Sequence, residues 1–276
     1  MRSIGETLTL LDGDAPAHWP ATAELPLLVL AGVTGVGKST TLERLARRLP
    51  CVLLPDRREI ADRVVFPSVQ DELGEPRHAV RDRVERFRLT ARYRQLHSGG
   101  MAHALSRLRV DPAALDGLLV FDGLRGADEL EWAIEHLPRA CFLALDAPEP
   151  VRLARLLGRA EGFDHTDRVG AVPVAAGQNA PGVVESLLAA APGLDAVMPR
   201  PELERLLLSP QLAEVSIEEI ARKAAILVEE ARNYDPRAVV RVLESQIGPE
   251  RRLIVDTSTT APDEVVERVA KWLHRT

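Results

Sequence analysis

The fold of this 276-residue chain is decided by one glycine-rich stretch, Gly32-Val33-Thr34-Gly35-Val36-Gly37-Lys38-Ser39. An apolar run from Leu27 to Ala31 precedes it, and a helical pattern from Thr40 to Leu49 follows it. This order of strand, glycine-rich turn and helix is typical of a phosphate-binding P-loop, the Walker A motif. Glycines let backbone N–H groups close around phosphate oxygens, and the N-terminus of the helix adds a positive dipole. The stretch therefore predicts a protein that binds a nucleoside triphosphate.

Two side chains of the stretch have expected roles of their own. The ammonium group of Lys38 is expected to bridge the β- and γ-phosphates, and the hydroxyl of Ser39 is expected to reach Mg²⁺. A chance glycine-rich turn is the alternative, but the flanking strand and helix favour the P-loop.

Composition indicates an ordinary globular protein. Hydrophobic residues make up 46% of the chain and charged residues 28%, which suits one large α/β core or a core with a small accessory domain. The net charge of -6 argues against general nucleic-acid binding, although clustered arginines leave room for a local anion site. Cys51 and Cys141 lie at or inside apolar runs, as buried thiols of a reduced cytoplasmic protein would. No leader pattern and no membrane-spanning run of about 18 apolar residues is found, so we expect a cytoplasmic protein without membrane contact.

Short apolar runs recur along the chain and are separated by segments long enough for helices. They are Leu27–Ala31, Cys51–Leu54, Leu118–Phe121, Ala140–Leu145 and Arg252–Val255. Five such strands with helical crossovers predict a parallel α/β sheet covered on both faces. Residues 1–24 are interpreted as an N-terminal extension, and residues 25–276 as the P-loop domain.

Two other regions have a helical pattern. The charged segment from Arg77 to Leu108 is interrupted by Gly99 and Gly100, so we expect two helices there. Residues 160–246 exceed what a minimal P-loop fold needs, and we interpret them as a helical insertion that serves as a lid. Within this insertion, Ser216 followed by Glu219 predicts a helix N-terminus.

A carboxylate is expected beside the P-loop. The run Leu118–Phe121 ends in Asp122, and ligands of open parallel sheets bind at the carboxyl ends of the strands. Asp122 is therefore a candidate to hold Mg²⁺ through water or to accept a proton from an attacking hydroxyl, and the sequence does not separate these roles. A simple turn residue is the alternative.

Several charged side chains are candidates for the acceptor site. Asp56 and Arg57 follow the second predicted strand, where a guanidinium group suits a phosphate or carboxylate of the acceptor, although a solvated loop is equally compatible. Arg92 shares a helix face with Arg88, and this face is a candidate substrate contact. The histidines His97 and His103 are too isolated to indicate catalysis.

A basic stripe precedes the predicted lid. Arg152, Arg155 and Arg159 recur at helical spacing after the fourth strand. Such a stripe could neutralise charge on a transferring phosphoryl group as a lid closes. Surface arginines on a solvated helix are the alternative interpretation.

Taken together, the motifs resemble the nucleoside and nucleotide kinase-like members of the P-loop kinases, the adenylate kinase-like superfamily. The resemblance rests on the P-loop, on Asp122-Gly123-Leu124-Arg125, on the basic stripe, and on the closing strand and helix after Leu253, all in the order that such kinases have. It implies a five-stranded parallel sheet with strand order 2-3-1-4-5, ATP and Mg²⁺ as cofactors, and phosphoryl transfer to a small acceptor such as a nucleoside, nucleotide or similar metabolite.

The resemblance also implies roles for individual residues. Asp122 becomes the metal or base carboxylate, Arg125 an acceptor contact, and Arg155 and Arg159 catalytic lid arginines beside Lys38. The predicted triphosphate cradle comprises Gly32, Val33, Thr34, Gly35, Val36, Gly37, Lys38, Ser39 and Thr40. The predicted metal ligands are Ser39 and Asp122, and the predicted acceptor contacts are Asp56, Arg57, Arg92 and Arg125.

Two other functional classes stay open. A regulatory ATPase would use hydrolysis to switch a partner-binding state, with the insertion as partner surface. A nucleotide-binding module with little turnover is the third possibility. A guanine-specific GTPase is disfavoured, because Leu145-Asp146-Ala147-Pro148 stands where an Asn-Lys-x-Asp element would follow the fourth strand.

Overall fold

A computed structural model describes residues 2–3, 9–11, 14–158, 180–209, 212 and 215–275. The strands are β1 (Arg2–Ser3), β2 (Thr9–Leu11), β3 (Leu27–Ala31), β4 (Cys51–Leu53), β5 (Leu108–Val110), β6 (Leu118–Leu124), β7 (Ala140–Asp146) and β8 (Arg252–Asp256). The helices are α1 (Lys38–Leu45), α2 (Arg57–Ile60), α3 (Phe66–Glu72), α4 (Arg83–Leu96), α5 (Gly100–Ser106), α6 (Ala127–His136), α7 (Glu149–Leu157), α8 (Ala180–Ala190), α9 (Leu194–Val197), α10 (Arg200–Leu207), α11 (Ile217–Asn233), α12 (Pro236–Gln246) and α13 (Pro262–Leu273). A π-helical turn, Ala61–Val65, joins α2 to α3, and short 3-10 turns lie at Thr22–Glu24 and Pro112–Ala114.

The chain divides into two compact units. The first contains residues 1–32, 37–146 and 235–276, and the second contains residues 33–36 and 147–234. The second range begins directly after β7 and ends before α12, whereas the sequence had suggested an insertion that also included α12. The division into extension, domain and lid stays a prediction.

The first unit is built around a parallel sheet in the order β1-β4-β6-β3-β7-β8. Each residue of β3 is at most 2% exposed, because helices cover a parallel sheet on both faces and its central strands are apolar throughout. The α/β fold class is confirmed, and without β1 the strands lie in the expected order 2-3-1-4-5. The strand count was wrong by one, because Arg2–Ser3 of the predicted extension pairs with β4 and makes a sixth strand.

The pairing of β3 with β6 brings an acidic side chain to the end of the strand before the P-loop. Leu30 pairs with Asp122, but the next residue, Ala31, pairs with Leu124, so the register shifts past Gly123. A Cβ atom on Gly123 would lie 2.2 Å from the ring of Phe121, so this irregularity requires glycine. The carboxyl end of β6 therefore places Asp122 next to the end of β3.

The interrupted helical region folds as the glycine pair predicted. The helix α4 ends before Gly99 and α5 begins at Gly100, which has φ +49°. A Cβ atom on Gly99 would lie 2.4 Å from Trp132, so close packing as well as helix breaking demands glycine here. Leu108, which the helical pattern had included, begins the strand β5 instead.

The second unit is helical in its described part. Its core is formed by side chains of α7, α8, α10 and α11, among them Leu153, Leu187, Leu203 and Leu227, which are all at most 1% exposed. Ser216 caps α11 as expected, since its hydroxyl accepts a hydrogen bond from the Glu219 N–H at 3.2 Å. The part of the predicted lid between residues 159 and 179 lies outside the described residues.

The structure bears on two expectations from composition, the burial of the cysteines and the absence of a membrane-spanning helix. Cys51 and Cys141 are half-buried and not fully buried as expected; they lie near the amino ends of β4 and β7. None of the helices in the described residues is long and apolar enough to cross a membrane.

Candidate active site

The P-loop has the backbone conformation that its glycines suggest. Gly32, Gly35 and Gly37 have φ angles of 142°, 87° and 98°, which residues with a side chain rarely adopt. The helix α1 begins immediately afterwards, at Lys38. The glycine spacing is therefore required by the turn that leads from β3 into the helix.

Lys38 lies between a carbonyl group of the P-loop and the carboxylate of Asp122 on β6. Its Nζ donates a hydrogen bond of 2.6 Å to the carbonyl of Gly32 and lies 3.8 Å from Asp122 Oδ1. The lysine side chain is only 14% exposed, which restricts its ammonium group to this end of β3. The structure thus brings together two of the predicted catalytic residues.

Asp122 has an unusual environment for a carboxylate. Its Oδ1 is buried and has no hydrogen-bond partner in the described part of the chain. Burial raises the pKa of this carboxyl group, while the positive charges of Lys38 and Arg125 oppose the rise. An oxygen ligand of this kind suits Mg²⁺, which binds hard oxygen donors and keeps several waters. Among the described residues, no cluster of three or more histidine, cysteine or acidic side chains could hold a metal ion.

The acceptor candidates after β4 have partners within the protein. Asp56 caps α2 by accepting a hydrogen bond of 2.8 Å from the Glu59 N–H. Arg57 forms a two-pronged ion pair with Glu129, at 2.7 and 2.8 Å, and donates a further bond of 2.8 Å to the carbonyl of Gly123. Because its guanidinium is engaged in this way, Arg57 fixes the end of β6, and its predicted contact with the acceptor stays a prediction.

The two remaining acceptor candidates differ in their position. Arg125 is half-buried, and its positive charge opposes the rise in the pKa of the Asp122 carboxyl group. Its backbone N–H donates a hydrogen bond to Glu129 at 3.4 Å. Arg92 is exposed on α4, with its guanidinium 3.8 Å from Glu72. Arg125 therefore acts electrostatically on the predicted catalytic carboxylate, whereas the partners of Arg92 in the described residues belong to α3 and α4.

The tip of the P-loop, residues 33–36, belongs to the second unit. There the carboxylate of Glu230 accepts hydrogen bonds from the N–H and hydroxyl of Thr34. Arg152 donates to the Thr34 carbonyl at 2.8 Å and to Glu230 at 2.6 Å, and Arg155 donates to the Gly35 carbonyl at 3.1 Å. Two arginines of the predicted basic stripe thus contact the loop itself. Arg159, predicted as a lid arginine, lies outside the described residues.

The histidines of the α4–α5 region form an aromatic stack. The rings of His97 and His103 lie 4.2 Å apart, and the hydroxyl of Tyr93 is 2.9 Å from His103 Nδ1. Burial, and then the positive charges of neighbouring side chains, lower the pKa of His103 to about 4. The two histidines are therefore not isolated from each other as expected, and their lack of a catalytic role stays a prediction.

Two buried carboxylates were missed at the sequence level. Glu129 is fully buried in α6 and neutralises Arg57, and Glu230 is 8% exposed in α11. A signal for Glu230 does exist, since it continues the apolar spacing of Ile220, Ala224 and Leu227 along the helix. An acid at a core position predicts a buried charged partner, which is Arg152.

Comparison with known proteins finds a matching family model and similar solved structures. A family model described as an AAA domain matches residues 28–167, slightly more than half of the chain. An unliganded sugar kinase from Janibacter sp. is similar over 91% of this chain and 95% of that one, with 17% identity and a TM-score of 0.36. No curated protein matches the chain. The glycine-rich loop after β3, the strand order and the family match agree: this chain belongs to the AAA domain family and is a P-loop kinase-like protein.

Proposed function

We propose that this protein transfers the γ-phosphoryl group of ATP to a small-molecule acceptor, such as a nucleoside, a nucleotide or a similar metabolite. The observation that carries the proposal is the pairing of Lys38 with a carboxylate whose Oδ1 atom is buried. The lysine ammonium lies 3.8 Å from Asp122 Oδ1, which has no hydrogen-bond partner among the described residues. A cation and an unsatisfied acid at the end of β3 match the needs of triphosphate and metal binding.

The triphosphate is proposed to lie on the P-loop. Backbone N–H groups of residues 32–40 would bind its oxygens, and the N-terminus of α1 would add a positive dipole. On binding, Lys38 would exchange its bond to the Gly32 carbonyl for the β- and γ-phosphates, where it neutralises charge that develops during transfer. Ligand binding therefore releases an internal hydrogen bond that is present in the free loop.

Ser39 and Asp122 are proposed to hold Mg²⁺, which when bound would neutralise charge on the phosphate oxygens. Asp122 is suited to this role because its buried Oδ1, which has no hydrogen-bond partner within the described ranges, would gain a cation as partner. Arg125 is the proposed acceptor contact, since it lies near Asp122. The roles of Asp56, Arg57, Arg92, Arg155 and Arg159 in transfer, and the cytoplasmic location, stay predictions.

The test is a phosphorylation assay with a panel of small metabolites, ATP and Mg²⁺, with products identified by mass. The proposal expects one class of metabolite to gain a mass corresponding to one phosphoryl group, at a rate matched by ADP release. Hydrolysis of ATP without any phosphorylated metabolite, stimulated by a macromolecule, would establish the regulatory ATPase instead. Intact ATP after long incubation with every acceptor would indicate a binding module with little turnover.

A further inference from the structure

The outer surface of the P-loop tip is held by three side chains of the second unit. Thr34 has both of its backbone polar groups engaged: its N–H lies 3.1 Å from each carboxylate oxygen of Glu230, and its carbonyl accepts from Arg152 Nε at 2.8 Å. The carbonyl of the next residue, Gly35, accepts from Arg155. The loop tip is therefore bonded at consecutive peptide groups to α7 and α11.

The two central side chains form a buried ion pair of their own. Arg152 Nη2 lies 2.6 Å from Glu230 Oε2, and the two side chains are 4% and 8% exposed. The pair is packed tightly on the loop, since a Cβ atom on Gly35 would lie 3.0 Å from the Cβ of Arg152. Because the charges are buried, each needs the other, and their separation from the loop would be costly.

The hydrogen bonds from the two arginines also fix the direction of the N–H groups of Gly35 and Val36. In a planar trans peptide group, the carbonyl and the following N–H point in opposite directions. The arginine bonds to the carbonyls of Thr34 and Gly35 therefore direct the N–H groups of Gly35 and Val36 away from the arginines. These two N–H groups belong to the glycine-rich turn that is expected to close around phosphate oxygens.

We propose that Arg152 and Glu230 are positioning residues for the polyphosphate: they orient the N–H groups of Gly35 and Val36 before the ligand arrives. The inference rests on the proposed function, because it assumes that the P-loop binds a triphosphate. Neither residue touches the ligand in this account. Preorganised donors bind more tightly, because the loop loses less conformational freedom on binding.

The charge balance of the pair makes the inference more specific. Loss of Arg152 alone would leave the Glu230 carboxylate beside an anion site without this arginine, whereas loss of the Glu230 charge would leave an extra cation there. We therefore expect Arg152→Met to weaken phosphate binding more than Glu230→Gln does. A purely structural pair would lower stability in both variants without this order of affinities.

The experiment measures binding of ATP with Mg²⁺, and of inorganic tripolyphosphate, by calorimetry. Single variants risk unfolding, because each leaves an uncompensated buried charge, but apolar replacement of both partners often leaves stability unchanged. The decisive protein is therefore the double variant Arg152→Met/Glu230→Met. The matched control is Glu229→Gln, which changes the neighbouring carboxylate on the same helix, an exposed group paired with Arg232.

We expect the double variant to melt within a few degrees of the wild type and to bind both ligands about tenfold more weakly, equal to about 1.4 kcal/mol. The equal loss for both ligands would locate the effect at the phosphates. In turnover, KM for ATP should rise about tenfold while kcat stays within about twofold, because the pair does not act on the reacting atoms. The control should match the wild type in every measurement.

A folded double variant that binds both ligands as the wild type does would overturn the inference and leave the proposed function intact. A wild-type protein that binds neither ATP with Mg²⁺ nor tripolyphosphate would instead overturn the proposed function, and this inference with it.

Discussion

Lys38 is the residue on which the proposed chemistry depends most directly. Its ammonium bonds the P-loop carbonyl of Gly32 and faces Asp122, so it stands where charge on the phosphates would need neutralising. Replacement by methionine keeps the length of the side chain and removes the charge. We expect Lys38→Met to lower kcat/KM by about 10²- to 10³-fold while the melting temperature changes little.

A coupled assay of ADP release, with the melting curve of each variant, checks this expectation. The control is Lys271→Met, since Lys271 is 68% exposed on α13 and forms an ion pair with Glu267 one turn earlier on that helix. Normal phosphoryl transfer by the Lys38 variant would contradict the assignment of the P-loop lysine.

The carboxylate of Asp122 is expected to lower the stability of the fold at pH 7 while it is needed for activity. Burial raises the pKa of its carboxyl group, so the native state binds this proton more tightly than the unfolded state does. Stability from this group is therefore lost as the pH rises through its native pKa, and at pH 7 the charged form is a net cost. We expect Asp122→Asn to unfold at a higher temperature than the wild type at pH 7, and to lose metal-dependent turnover.

Melting curves between pH 4 and 7 provide the check. The stability advantage of the asparagine variant should shrink as the pH falls, because the wild-type carboxyl becomes protonated and neutral as well. An advantage that is independent of pH, or a less stable variant at pH 7, would show that burial does not govern this carboxylate.

His103 should make the fold sensitive to acid. Burial lowers its pKa to about 4, and the charges of His97, Arg107 and His136 act in the same direction. The native state therefore binds this proton less tightly than the unfolded state, so stability is lost as the pH falls from about 6.5 to about 4. The full shift corresponds to ~3 kcal/mol, and we expect about 1–2 kcal/mol, because water screens a half-buried ring.

Urea unfolding of a His103→Gln variant from pH 7 to 4 measures this loss directly. The variant should lose less stability over this range than the wild type, while still offering Tyr93 a hydrogen-bond partner. His274→Gln is the control, because this histidine is exposed after α13. Parallel pH dependence of the wild type and the His103 variant would assign the acid sensitivity to other groups.

At the level of elements, the ion pair between Arg57 and Glu129 joins α2 to α6 and fixes the end of β6. Glu129 is fully buried, and Arg57 also donates to the carbonyl of Gly123. Without the guanidinium, Glu129 would keep an uncompensated buried charge. We expect Arg57→Met to lower the free energy of unfolding by about 3–5 kcal/mol.

Urea unfolding measures this loss, and Arg58→Met serves as control because Arg58 is exposed on the same turn. If the Arg57 variant keeps its stability and raises only the KM of the acceptor, the sequence-level prediction of a substrate contact is correct after all.

Sequence reasoning predicted best those elements that are determined by the residues within them. The strand β3, the P-loop glycines and the helix break at Gly100 follow from apolar runs and from backbone angles that glycine adopts most readily. What could not be predicted depends on contacts between distant residues. Thr34 and Glu230 are 196 positions apart in the sequence, and no local periodicity reveals that an acid on α11 bonds the loop after β3.

The sixth strand was missed for a similar reason. Arg2–Ser3 is only two residues long, and it is a strand only because the edge of β4 offers it backbone partners. The same holds for Arg57, which in the sequence is one of two adjacent arginines after a strand. Arg57 differs from Arg58 only in the folded chain, where Glu129 lies within reach of the Arg57 guanidinium.

For the whole molecule, the division into two units has a thermodynamic consequence. Each unit has a hydrophobic core of its own: Leu130 is fully buried in the core of the first, and Leu227 is fully buried in the core of the second. Regions with separate cores open separately, with free energies set by their own packing. Residues 33–36 belong to the second unit, so we expect opening of that unit to release the tip of the P-loop as well.

Hydrogen exchange of a Leu227→Ala variant tests this expectation. The cavity should cost about 2–5 kcal/mol and raise the exchange rates of α7, α10, α11 and residues 33–36, while β3 and β7 keep their protection. Leu130→Ala is the matched control and should loosen the first unit instead. Because an ordered loop tip is a condition for tight phosphate binding in our account, the Leu227 variant should also bind tripolyphosphate more weakly. Equal acceleration of exchange in both units would mean that the chain unfolds as one cooperative body. The order of residues 33–36 would then not depend on the second unit alone.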